Sequence, residues 1–480
     1  MSSARLLSTA DAPKMTRVAS IELDVDYLVV GAGAAGMAFT DALIANTDVS
    51  VALIDRRHGV GGHWLEAYPF VRLHQASAFY GVASTLLGGG AIQSEGPEVG
   101  LQERATAPEV CAYYVQVLQA RMLTSGKVSF YPNCDYVGDR QFVTSSSGQR
   151  YEVGPRCRVV DARYLAPMIP ANTPAPFGIS AGARVITVNE LPDVADAPSQ
   201  YVIAGSGKTA TDACIWLLTN GVDPNAICWV RPREPWMLNR AVVQPDPAVF
   251  IGMAAAVFEA AAASASLDEV FLRLEAAGIM LRIDQTVTPT MARTPTLAAW
   301  ELDHLRTIEN VIRGRIRHVE PGKLVFGEDD APIAKDAVVV HCAAEGLRRR
   351  PILPIWGSEA ITLQPIRSGF PCFGAALAGY VEATREDDTE KNRLCPSSPL
   401  PSTLTDWAQM QVLGTRAAMS FGSEPDIKAW ANEVPLNPSR IASGTTVTPE
   451  LTASQQRFGT YLEPGLARLA TFAEAQATTR

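Results

Sequence analysis

The sequence predicts an α/β protein with two Rossmann-like dinucleotide-binding domains, the second inserted into the first. Three observations predict it. A short apolar run ending at Val30 leads into Gly31-Ala-Gly33-Ala-Ala-Gly36 and then into an apolar helical stretch. The same order returns at Tyr201, where "YVIA" leads into Gly205-Ser-Gly207-Lys208-Thr209-Ala210 and a second helical stretch. The chain, at 480 residues, is also too long for one ordinary domain.

In the first unit, Tyr27–Val30 has the length and apolar character of a buried parallel strand. Gly31 permits the tight turn, Gly33 lets backbone approach a pyrophosphate, and Gly36 lets helix and strand pack closely. The phosphates belong at the helix N-terminus, where free N–H groups and the helix dipole favour negative charge. A second strand, "VSVALID", ends in Asp55, about twenty residues beyond Gly36, where a carboxylate can bind a ribose hydroxyl.

In the second unit, Ala210 replaces the third glycine, which the motif tolerates, and Gly221 stops the helix. The following strand, "AICWVRP", ends in Arg231, with Arg233 close behind. A carboxylate there would repel a 2′-phosphate, whereas a guanidinium binds one bidentately. The second nucleotide is therefore expected to be NADPH, with Lys208 and Thr209 near its phosphates. Two dinucleotide folds in one chain point to electron transfer from a nicotinamide to a flavin, so the first turn is expected to hold FAD.

Composition narrows the remaining choices. A net charge of −9 argues against nucleic acid or a polybasic membrane role. The 8 cysteines show neither a CxxC pair nor metal-type spacing with histidine, so no metal site is expected. Cysteine usage suits a reducing, cytoplasmic compartment. The N-terminus lacks the apolar core of a secretory signal, and no run of apolar residues reaches bilayer length. A redox cysteine pair beside the flavin, as a disulfide reductase needs, is absent from the spacing of Cys111, Cys134, Cys157, Cys214, Cys228, Cys342, Cys372 and Cys395.

After Asp55 the chain reads "RRHGVGGHWLEAYPFVRLHQASAFYGVAS". Gly61-Gly62-His63-Trp64, then Tyr68-Pro69 and Arg72-Leu73-His74, resembles class B flavoprotein monooxygenases. "GGHW…YP…R" is similar to the Baeyer–Villiger group. "RLH" and "WVRPREPWMLNR" are similar to plant flavin monooxygenases. The resemblance spans roughly 25–400. It implies a monooxygenase that takes a small organic substrate (amine, sulfide or ketone) and O₂ through a flavin C4a-(hydro)peroxide. It places Gly62, His63, Trp64 and Arg72 among the flavin-binding residues, and His74 and Trp64 at the flavin ring. His74 stands where the Baeyer–Villiger group has an aspartate. The histidine motif expected before the second turn is missing from "ISAGARVITVNEL", which points away from standard Baeyer–Villiger behaviour. Two alternatives stay open: an NADPH-dependent flavin reductase or oxidase without oxygen insertion, and a non-catalytic flavin-fold binding protein. A homo-oligomer also stays open.

The expected organisation is a tail (1–24), a first FAD-domain segment (25–165), an NADPH domain (166–335), a second FAD-domain segment (336–400) and a helical C-terminal region (401–480). "VVVHCAAEG" is expected to lead the chain back into the FAD domain. "APMIPANTPAPFG" has the proline content of the first linker. A helical insertion is expected at 245–312. Within it, Leu267, Val270, Phe271 and Leu274 share a helix face, Ser266 and Glu269 have capping-box spacing, and Gly278 is a stop. This insertion is expected to be a helical layer on the sheet, the alternative being a cap over a substrate pocket.

Overall fold

The computed structural model describes residues 20–344, 346–367 and 369–475. Two parallel sheets organise it. The first runs in the spatial order Ile361–Thr362, Arg158–Asp161, Tyr27–Val30, Val51–Ile54, Val128–Tyr131. The second runs Arg184–Thr187, Val338–His341, Tyr201–Ala204, Ile227–Val230, Val311–Ile312. In each, the strand before the glycine turn lies in the centre, so the turn opens at the carboxyl end of the sheet, where such folds bind ligands. Strands buried on both faces need continuous apolar runs, and Leu28, Val29, Val202 and Ile203 are all fully buried.

The helix Ala34–Asn46 follows the first turn and packs against Pro371–Thr384. A Cβ at Gly379 would stand 2.4 Å from the Phe39 carbonyl oxygen, so glycine sets how closely these helices approach. Glu382 ties the second FAD-domain segment to the sheet. Its carboxylate accepts from the Tyr27 hydroxyl (2.7 Å), Arg158 Nη1 (2.9 Å), the Trp356 indole (2.8 Å) and Lys391 Nζ (2.7 Å).

Three expectations about organisation need correction. Ile21–Leu23, assigned to the tail 1–24, is a strand pairing in parallel with Arg150–Val153; residues 1–19 lie outside the described residues. Val338–His341, expected in the FAD domain from 336, is an inner strand of the second sheet, so the return to the first domain comes later. The two crossings pair with each other: Met168 N–H donates to Gly346 O (2.9 Å), and Gly346 N–H to Met168 O (3.1 Å). Finally, the helices Pro247–Ala262 and Leu267–Ala276 are not a layer on the nucleotide sheet. They pack with the C-terminal helices Leu404–Gly422 and Pro449–Ala475 around a core of Trp236, Phe258, Phe271 and Trp407. A Cβ at Gly465 would meet the Phe258 carbonyl oxygen at 2.3 Å. Ser266 caps its helix as expected, its Oγ accepting from the Glu269 N–H at 3.2 Å, while the Glu269 carboxylate reaches back to the Ala265 N–H at 2.8 Å.

Among the described residues, no helix is long and apolar enough to cross a membrane, and no three His, Cys, Asp or Glu side chains group as metal ligands.

Candidate functional site

The first glycine turn has the geometry a dinucleotide needs. Gly31 sits at φ +109, and a Cβ on Gly36 would lie 1.8 Å from the Gly31 carbonyl oxygen. Gly33 starts the helix, and its added Cβ would meet only the Gly62 backbone, the Cα at 3.5 Å and the N at 3.9 Å. Among the described residues the N–H groups of Gly33, Ala34 and Ala35 have no acceptor and open the helix as donors, the first intrahelical bond being Met37 N–H to Gly33 O (2.9 Å). Gly61 N–H donates to Ala32 O (3.0 Å), which lays the Gly-Gly pair directly on the turn. Gly61 (φ +112) and Gly62 (φ +61) both use the left-handed region.

Asp55 is buried beside this turn. One carboxylate oxygen accepts from Ala32 N–H (2.8 Å), the other from Arg57 N–H (2.8 Å). It therefore orders the turn itself, and each oxygen keeps one lone pair for a ribose hydroxyl. A cleft of about 400 Å³ follows, lined by Arg56, Arg57, His58, Glu66 and Asn133.

Trp64 is buried, and its indole N–H donates to the Tyr80 hydroxyl at 2.6 Å. Burial first, then Arg57, holds the His63 imidazole down at about 4. Arg72 is exposed and donates to the Arg104 carbonyl at 3.2 Å.

His74 is exposed, and the charged groups that act on it are Lys208, Arg240, Arg104 and Glu301 rather than the surroundings of Trp64. Burial first, then the charges of Lys208, Arg240 and Arg104, hold its imidazole well below the ordinary histidine range. Its carbonyl accepts from Arg240 Nε (3.0 Å) and from the Thr296 hydroxyl. Arg240 is fully buried and also pairs with Glu98 and, through Nη2, with Glu301 (2.8 Å). Arg104 binds Glu98 through two nitrogens, at 2.9 and 2.7 Å. Burial pushes the Glu98 carboxyl up, but the two arginines outweigh it and pull it to about 2.

The second turn is similarly open. Gly205 has φ +149, and a Cβ on Gly207, which starts the helix Lys208–Thr219, would meet nothing within 4 Å. Lys208, expected at a phosphate, is buried and ion-paired with Asp212, one helical turn on. Asp212 also accepts from the Tyr68 hydroxyl (2.6 Å), a contact across the two nucleotide domains. Thr209 is half-buried beside Tyr68.

Arg231 is buried rather than open to a nucleotide. Its guanidinium lies 4.7 Å from the Trp229 ring centre and 3.3 Å from Glu234. Arg233, two residues on, has no carboxylate partner among the described residues. Burial first, then the neighbouring Arg315 and Arg349, lower its pKa. Asp212, Tyr68, Arg240, Glu98, Glu301 and Arg233 were not singled out as site residues from sequence. For Asp212 a signal existed, the Lys–Asp spacing of one helical turn; the partners of Arg240 lie up to 166 positions away from it.

All eight cysteines are free. Cys214 and Cys342 are buried neighbours, and burial pushes both thiols up.

A family profile described as "NAD(P)-binding Rossmann-like domain" matches residues 29–78, the segment carrying the first turn and His74. A polycyclic ketone monooxygenase from the thermophilic fungus Thermothelomyces thermophila is 12% identical with a TM-score of 0.50, covering 94% of this chain and 90% of that one. This likeness shows the fold alone, an α/β architecture with two dinucleotide-binding sheets. Two proteins described as uncharacterized, Rv2000 of Mycobacterium tuberculosis and Mb2023 of Mycobacterium bovis, are 40% identical over 429 residues, 88% of this chain and 80% of theirs. This chain belongs to the family of those mycobacterial proteins.

Proposed function

We propose that this protein is an FAD- and NADPH-dependent monooxygenase acting on a small organic substrate, an amine, sulfide or ketone. One observation carries the reading: two parallel sheets in one chain each end their central strand in a glycine turn with an open helix start, and the Gly61–Gly62 pair packs on the first. A Cβ-free cradle and unpartnered N–H donors are what a pyrophosphate requires. The residues therefore suit FAD at Gly31, Gly33, Gly36, Gly62 and Asp55, and NADPH at Gly205 and Gly207. When bound, FAD supplies the reaction with O₂ and the oxygen transfer, and NADPH supplies the hydride.

The chain's own residues orient these groups and exclude water. Backbone N–H groups of Gly33–Ala35 and of Gly207–Thr209 bind phosphate oxygens. His74, neutral at ordinary pH, holds a proton on one ring nitrogen and accepts at the other. Trp64, packed on Tyr80 and His63, closes the FAD side. For the 2′-phosphate, the unpaired Arg233, with Arg315 and Arg349 nearby, suits an anion better than the carboxylate-paired Arg231.

The test is NADPH oxidation by the purified protein, with O₂ uptake and peroxide followed, with and without candidate amines, sulfides and ketones. A yellow protein that releases FAD, prefers NADPH and consumes substrate with little peroxide is the expected result. NADPH oxidation that yields only peroxide with every substrate would make it a reductase or oxidase. A colourless protein that cannot be reconstituted with FAD would sink the reading.

A further inference from the structure

Arg367 is a guanidinium without a counter-charge. Its Nη1 donates to Ser439 Oγ (2.8 Å) and Asn437 Oδ1 (3.2 Å), both neutral acceptors. Among the described residues no carboxylate pairs with it. Burial lowers its pKa to about 10, with no acidic neighbour opposing the shift. Nε and Nη2 meet no acceptor among the described residues, and neither is sealed from water. Nε and Nη2 form the edge by which arginine grips a carboxylate with two parallel bonds. The protein's own contacts occupy the other nitrogen and leave this edge free.

The surroundings are apolar. The guanidinium carbon lies 5.5 Å from the Phe250 ring centre. Phe250 meets Phe370 edge-on (5.7 Å) and Phe79 (6.4 Å), and Phe79 meets Phe370 (5.3 Å). These rings come from different parts of the chain. Phe79 belongs to the segment that carries His74, Phe370 begins the helix packed on the FAD-side helix, and Phe250 belongs to the insertion. A ring face is a weak partner for a cation, and a guanidinium edge that is open yet unpaired is one that a ligand anion can fill.

We propose that Arg367 is the specificity residue of this site: its free Nε–Nη2 edge anchors the carboxylate of a small organic substrate, while Phe250, buried against Phe79 and Phe370, backs the guanidinium. The inference rests on the monooxygenase reading above and adds the substrate's charge to it. It also assigns the insertion a part in the site through Phe250.

The test uses the FAD-loaded full-length protein and two matched probes, 3-phenylpropanoate and 3-phenylpropanamide, with binding followed by the flavin absorbance spectrum. The acid is expected to bind roughly tenfold or more tighter than the amide, the value of a charge-assisted bond. Arg367→Met should remove this preference, and Arg367→Lys should keep part of it. Should Arg367→Met fail to fold, phenylglyoxal labelling of the wild type replaces it: the acid, not the amide, should slow modification of Arg367. Equal or absent binding of the acid, a preference that survives in Arg367→Met, or labelling indifferent to the acid would overturn the proposal. Loss of FAD from a folded Arg367→Met, with phenylglyoxal labelling of the wild type indifferent to the acid, would assign the guanidinium to the flavin and equally overturn it. A wild type that takes up no FAD would fail the monooxygenase reading instead, so the two failures are distinct.

Discussion

Two glycines of the first turn do different work, and an alanine at each separates the two. At Gly36 a Cβ would lie 1.8 Å from the Gly31 carbonyl oxygen and 3.3 Å from Ala162 Cβ. Real Cβ–oxygen contacts are not found below 3.0 Å, so helix and strand must part by more than 1 Å. Overpacking of this kind costs about 3 kcal/mol or more when the obstacle is backbone. The gain in helix propensity from Gly to Ala, about 1 kcal/mol, does not offset it. For domains of this size the net loss should lower Tm by roughly 4–10 °C. At Gly33 the outlook is different. Its φ of −83 suits any residue, and its nearest obstacle is Gly62 Cα at 3.5 Å, ordinary contact. Gly33→Ala should leave Tm of the FAD-free protein within about 1 °C, since surface-like substitutions fall within ±0.5 kcal/mol. It should nonetheless reduce FAD retention, because the methyl group occupies the space a pyrophosphate needs. The assay is thermal unfolding of FAD-free protein alongside FAD content after purification. A Gly36→Ala protein as stable as wild type, or a Gly33→Ala protein that loses stability but keeps its flavin, would refute the division of roles.

Arg233→Ala should raise KM for NADPH roughly tenfold or more and leave NADH unchanged, as expected for loss of a charge-assisted phosphate contact; Arg231→Ala should instead lower Tm, since it strips a partner from buried Glu234, and the reverse pattern would return the phosphate to Arg231. His63, held at about 4 against an ordinary 6.5, takes up a proton in the unfolded chain before it does so in the fold. Stability should therefore fall as pH drops from about 6.5 towards 4, and His63→Gln should flatten that loss, as urea unfolding at pH 7 and pH 5 would reveal. Arg240→Met should destabilise by about 3–5 kcal/mol, because Glu98 and Glu301 stay buried with one guanidinium between them; adding Glu301→Gln should recover part of this, and simple additivity in the double mutant would contradict the paired network.

The glycine turns were legible because few residues satisfy a positive φ and a backbone approach under van der Waals distance, so the sequence is constrained position by position. The helix at 267–276 was legible for the same kind of reason, with Ser266 at its cap and Gly278 (φ +71) at its end. Partners were not. "VVVH" has the pattern of any buried strand, and nothing in four residues says that it pairs with Arg184–Thr187 and Tyr201–Ala204 rather than with the first sheet. The insertion helices showed their apolar face but not what covers it, because the covering helices lie at 404–475. Arg231 and Arg233 are the same residue type two positions apart. Both lie beyond the strand, which ends at Val230, and only the neighbours Trp229 and Glu234 decide which of them is buried.

The charged groups at the junction have a physical sense that stability does not supply. Lys208–Asp212–Tyr68 joins the second nucleotide helix to the loop after the Gly-Gly pair, and Glu301–Arg240–Glu98–Arg104 joins the insertion to the loop around His74. Buried ion pairs contribute little net stability over apolar packing, because desolvation consumes most of the Coulomb gain. What directed N–H bonds add is register. An apolar junction tolerates sliding, whereas Arg240 is satisfied only when its nitrogens meet two carboxylates and the His74 carbonyl together. The backbone of His74 is thereby fixed from the insertion side while no hydrogen bond within the described residues holds its ring. On the proposed function, a histidine whose peptide is pinned and whose ring is left free is the group to meet a ligand, and the network is what positions it.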